Sequence, residues 1–131
     1  MRELRALHFD RDEIARALIA HRQKRGERLP RGTLDGVAVV AVAGRSPGAP
    51  PGLTCRITIR DDFGAGHDVE MREAEVAAAL IEDCIARRVP VPRRARKTVE
   101  AMDDGVLLVF NLDRDGGGMT RPRVTVRGAG R

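Results

Sequence analysis

The chain has 131 residues, a formal net charge of +5, 42% hydrophobic and 33% charged residues. That is the length of one domain with room for an aliphatic core, and the composition excludes wholesale disorder, a collagen-like repeat and a disulfide scaffold. The longest apolar run, Val37 to Ala43, is too short to span a bilayer, so no membrane association is expected. MRELRALHFD lacks the apolar segment of a signal peptide. Cys55 and Cys84 form no framework and fit a reducing cytoplasm.

The first nine residues read as a short lead-in. FDRDEIARALIAHRQKRG then carries the clearest local signal. Asp10 is a good N-cap, Glu13 completes a capping box, and Phe9 with Ile14 forms a hydrophobic staple. Ile14, Ala17, Leu18 and His21 share one helical face, and Gly26 is a stop. The spacing predicts a helix over 10–25. TLDGVAVVAVA at 33–43 reads as a strand. It is apolar on both sides, so it is expected to be central and covered on both faces.

GRSPGAPPG at 44–52 is a loop by composition, and its Pro47/Pro50 match to P-x-x-P carries no more than that. LTCRITIR at 53–60 alternates, with Leu53, Cys55, Ile57 and Ile59 on one face. DDFGAG turns the chain, and HDVEM at 67–71 is a short strand. A second helix is expected over 73–88, with Ala77, Leu80, Ile81, Cys84 and Ile85 as its stripe. Pro90 and Pro92 end it, and one helical turn is expected at 93–96. KTVEAM at 97–102 and VLLVFNL at 106–112 flank Asp-Asp-Gly, with Asp104-Gly105 as a two-residue hairpin signal.

The expected fold is a single α+β domain over 1–112, order α-β-β-β-α-β-β. It has two helices and a mainly antiparallel sheet of about five strands. A flexible Gly- and Arg-rich tail at 113–131 follows, with VTV at 124–126 as one further edge strand. EIARALI at 13–19 recurs as EVAAALI at 75–81, and the shift of 62 also aligns Pro30-Arg31 with Pro92-Arg93. This suggests two αββ units related by a pseudo-twofold.

No catalytic residue is assigned. His8, His21, His67, Cys55 and Cys84 show no CxxC, HxxxH or HExxH spacing, so no metal site and no cofactor are expected. Gly64-Ala65-Gly66 lacks the rest of a phosphate-binding fingerprint. Three readings of function remain. The first is a small, non-enzymatic cytoplasmic binding or regulatory module. It acts as a homodimer or adaptor through an apolar sheet face of Val37, Ala38, Val40, Val42, Leu107 and Val109.

The alternative is nucleic-acid binding through two basic clusters. Arg22, Lys24, Arg25, Arg28 and Arg31 form one, and Arg87, Arg88, Arg93, Arg94, Arg96 and Lys97 the other. If the helices are related by a pseudo-twofold, the clusters meet on one rim. The absence of Trp and Tyr argues against base-stacking modes. The third reading is an enzyme of unrecognised type centred on the 61–68 loop, where Asp61, Asp62, Asp68 and His67 gather.

Overall fold

Asp10 ends one strand and starts one helix, and that junction organises the first half of the chain. In the computed structural model, which describes residues 2–44, 46–49 and 51–113, β1 (Arg2–Asp10) runs directly into α1 (Arg11–Lys24). The Asp10 carboxylate accepts the Glu13 backbone N–H at 2.8 Å, and the Glu13 carboxylate accepts the Asp10 N–H at 2.9 Å. The capping box read from the sequence therefore closes. The order continues β2 (Thr33–Val42), β3 (Gly52–Arg60), β4 (Gly66–Arg72), α2 (Glu73–Ala86), β5 (Arg96–Met102) and β6 (Gly105–Asp113).

The expectation of one five-stranded sheet is corrected. Among the described residues six strands form two antiparallel three-stranded sheets, β1-β6-β5 and β2-β3-β4. The residues read as a lead-in are β1, which pairs with β6 along its whole length, from Arg2 opposite Asp113 to Asp10 opposite Gly105. Its sequence hides it. On the inward face only Leu7 and Phe9 are apolar, while Glu3 and Arg5 occupy the same face further out, so the period-2 signal is broken.

Both sheets turn one face to the helices. Cys55, Ile57 and Ile59 of β3 meet Val106, Leu108 and Phe110 of β6, Ile14 and Leu18 of α1, and Val76 and Leu80 of α2 in a single buried cluster. Each helix buries small residues in this core, with Ala15, Ala17, Ala77 and Ala79 all within 2% of full burial. Cys55 and Cys84 lie in this core as free thiols. Burial pushes the Cys55 thiol up to about 12, and burial followed by the Asp83 charge raises that of Cys84, so both stay protonated.

Three local expectations change. The buried stripe of α2 is Val76, Ala77, Ala79, Leu80 and Cys84. Ile85, read as part of that stripe, is 64% exposed. Asp103 and Asp104 are the two residues between β5 and β6, since Gly105 already pairs with Met102. Gly105 is demanded by proximity instead: a Cβ there would lie 2.0 Å from the Phe9 carbonyl oxygen. Residues 93–95 form a turn rather than a helical turn. The expected strand at 124–126 lies outside the described residues.

Candidate functional site

The apolar strand expected at the centre of a sheet is an edge. Among the described residues β2 pairs only with β3, and none of its ten residues is fully buried. Val37 and Val39 turn inward and pack against the core cluster. Ala38, Val40 and Val42 alternate to the outward face, where Val40 is 46% and Val42 44% exposed. The register sets Val40 beside Thr54 and Ala38 beside Arg56, so the apolar stripe is bordered by the polar face of β3.

A bulge at Asp35 shifts the β2–β3 register near the start of the strand. It is clipped by Arg60, whose guanidinium donates to Asp35 Oδ2 at 2.7 and 3.2 Å and to the Gly64 carbonyl at 2.7 Å.

The partner face read from the sequence is thus divided. Val37 faces the core. Leu107 and Val109 lie half-buried on the outward face of the other sheet, where Leu107 stands beside His8 and Glu100 and Val109 beside Ala6 and Thr98. Exposed Leu4 and Met102 extend that second face. Sequence reasoning missed both, because the edge status of β1 and β5 is not written in their residues. Two-sided apolarity in β2 gave no sign of an edge either, since it reads the same in a strand covered on both sides.

The basic clusters do not meet on one rim. The helices run antiparallel: Arg22, near the end of α1, hydrogen-bonds Glu75 in the first turn of α2. Arg87, just beyond α2, lies 3.6 Å from Glu13 in the first turn of α1. Each cluster therefore sits by the opposite helix's start, and the two are separated by about 21 Å, the length of a 14-residue helix.

Several of the candidate cations are already engaged. Arg22 also pairs with Glu27 at 3.1 Å, Arg25 lies 3.5 Å from Glu27, and Arg87 pairs with Asp83 at 2.8 Å. Lys97 is 6% exposed, and its Nζ donates to the Ala95 carbonyl at 3.1 Å and the Arg93 carbonyl at 3.4 Å. Burial lowers its pKa, and its charge is not offered to solvent. Lys24, Arg28, Arg31, Arg88, Arg93, Arg94 and Arg96 are exposed.

In the 61–68 loop the acids build the turn. Asp61 Oδ1 accepts the backbone N–H groups of Phe63 at 2.8 Å and Ala65 at 2.9 Å, and Oδ2 lies 2.7 Å from His67 Nε2. The His67 hydrogen bond, then that from Ala65, holds the Asp61 carboxyl below the usual range. Asp68 accepts from the Thr58 hydroxyl at 2.7 Å. Both Asp61 oxygens are committed, and Phe63 stands at the tip 96% exposed. Among the described residues no group of three His, Cys, Asp or Glu side chains converges to hold a metal.

Two further features remain: His21, which the helical period places on the apolar face of α1, and a hollow that no local pattern announced. His21 is 4% exposed between the helices, with Nδ1 2.9 Å from Glu82 and Nε2 3.7 Å from Glu75. A 250 Å³ apolar hollow is lined by Pro90, Val91, Pro92, Phe110 and Leu112, with Glu3 and Arg5 at its wall. Among the described residues no helix is long and apolar enough to cross a membrane. No protein-family model matches the chain, and no curated protein or solved structure matches it.

Proposed function

We propose that the protein is a non-enzymatic association module that works by accepting another strand at the β2 edge, in a reducing compartment suited to its two buried free thiols. The observation that carries this reading is an unprotected edge. β1 carries Arg2, Glu3 and Arg5, β4 carries Asp68, Glu70 and Arg72, and β5 carries Arg96 and Glu100. Such charges are how sheets discourage stray pairing. β2 has none from Gly36 to Val42. A long, uncharged, solvent-facing strand edge supplies backbone donors and acceptors for affinity and alternate side chains for selectivity.

The test compares the wild-type chain with Val40→Lys, both tagged and purified under native conditions from the cells that make them. A species held in stoichiometric amount by the wild type and lost from the variant is the expected result. Identical recovery from both, with each protein monomeric, sinks the reading.

We also infer that the two halves, β1-α1-β2-β3 and β4-α2-β5-β6, are an internal repeat, enlarged from αββ by one leading strand. Three correspondences support it. Both helices have 14 residues and begin 62 apart. Gly26 and Arg88, also 62 apart, both take a positive φ just past a helix. Past the bulge, the pairing Val37 opposite Ile57 answers Val99 opposite Leu108, and Ile57 opposite Val69 answers Leu108 opposite Leu7. A repeat that exchanges its first strand explains why one domain holds two like sheets.

Nucleic-acid contact is kept as a second reading because Arg93, Arg94 and Arg96 are exposed on one short segment and carry no ion pair among the described residues. Phosphate contacts need only such guanidinium groups.

A further inference from the structure

We propose that the strand accepted at β2 is β2 of a second copy of this chain, paired antiparallel into a six-stranded sheet of order β4-β3-β2-β2-β3-β4. This rests on β2 being an association edge and names its occupant. β2 is compatible with its own copy. When two copies of one strand pair antiparallel about a twofold, the axis stands normal to the sheet. Outward residues then meet outward residues, and one position meets its own copy. Any charge near the axis meets itself or its neighbour across the seam, which is destabilising.

Over Gly36–Val42 no such conflict exists in any register, since every residue there is Gly, Ala or Val. β4 shows the contrast: centred on Val69 it would set Asp68 against Glu70. The limits of the pairing are set by the fold. The Asp35 bulge, held by Arg60, bends the beginning of β2 and removes its one acidic residue from the seam. Within the run, pairing covers the exposed edge between Ala38, Val40 and Val42 of each copy. The cross-strand contact is β-branched against β-branched or against alanine.

The copies carry like net charges of +5. Added salt therefore screens their repulsion and strengthens the dimer, the opposite of what a phosphate-contacting surface shows.

The experiment is light scattering and sedimentation equilibrium on the full chain, at concentrations up to about 100 μM and at low and moderate salt. The expected result is a species of twice the 14.3 kDa chain mass, favoured by salt. Val40→Lys places two ammonium groups at or near the axis and should weaken the dimer at least about tenfold. Its far-UV circular dichroism should stay unchanged, because Val40 is exposed, and its melting temperature should match that of the wild type at concentrations low enough for both to be monomeric.

Should that variant melt early, Ala38→Cys, Val40→Cys and Val42→Cys decide the matter. Cys55 and Cys84 are 0% and 1% exposed, so the introduced thiol is the accessible one. Alone or in pairwise mixture, one combination should form an intermolecular disulfide far faster than the others, because the axis stands either on an outward residue or on the inward residue between two of them. A monomer at every concentration, a dimer indifferent to Val40→Lys, or no cross-link at any of the three positions overturns the proposal. If the monomer still captures a different protein in a β2-dependent way, the homodimer fails and the association edge stands. If it captures none, both fail.

Discussion

Asp61 holds the β3–β4 hairpin with both of its oxygens, and the consequence is a defined dependence on pH. The carboxylate is stabilised by the His67 ring and by two backbone N–H groups that exist in this geometry only when the hairpin is folded. Its pKa is therefore lower in the folded chain than in the unfolded one. The stabilisation is present in full above the ordinary carboxylate value of about 3.9 and is lost as pH falls through the folded value. Asp61→Asn keeps an oxygen for the backbone bonds and removes the charge. Urea midpoints measured from pH 7 down to pH 3 are expected to fall more steeply for the wild type, so that the gap between the two proteins closes in acid. Parallel curves would show that the charge contributes nothing to the turn.

At the scale of the element, the helix ends are the most informative pieces. Both helices finish in the same pattern. Gly26 N–H donates to the Gln23 carbonyl and Glu27 N–H to that of Arg22, while Arg88 N–H donates to Ile85 and Val89 N–H to Cys84. This pattern requires a left-handed residue, which glycine adopts without steric cost. The first helix has Gly26 at φ +79, but the second has Arg88 at φ +60. An arginine there costs roughly 1 kcal/mol. Arg88→Gly is expected to raise stability by about that amount, read as a higher melting temperature, whereas Gly26→Ala should lower it comparably.

The same ends show what a sequence discloses. Asp10, Glu13 and Gly26 act through chemistry within a few residues of themselves, so α1 was legible almost to its boundaries. The stop of α2 was marked by Pro90 and Pro92 but not by Arg88, whose conformation is imposed by the fold. Ile85 fits the helical period and is nonetheless exposed, because the direction in which a stripe points depends on the partner helix.

At the scale of the whole molecule, the proposed division into two repeats means that each sheet borrows a strand. β4 completes the sheet of β2 and β3, and β1 completes that of β5 and β6. This exchange is what the sequence withheld. Alternation locates β3 and β6, yet nothing local tells β6 that its second neighbour lies a hundred residues earlier. The same gap hid the edge status of β2, and with it the candidate site, although the residues Ala38, Val40 and Val42 had been singled out.

The exchange also makes the halves interdependent. Cut between Phe63 and Gly64, at the exposed tip of the β3–β4 hairpin, the chain yields β1-α1-β2-β3 and β4-α2-β5-β6. In the first fragment β3 loses β4 and β1 loses its only partner. In the second, β6 loses β1 and β4 loses β3. Each helix also loses the other, and with it the packing of Ala15, Ala17, Ala77 and Ala79. A fragment of that size is marginal even with a complete core, and each of these has lost strand partners and its packed helix. Each is therefore expected to give the circular dichroism of an unfolded chain alone, and an equimolar mixture to recover the helical signal and a cooperative melt. A fragment that folds by itself would mean that the borrowed strand is dispensable and that the two sheets are separable units.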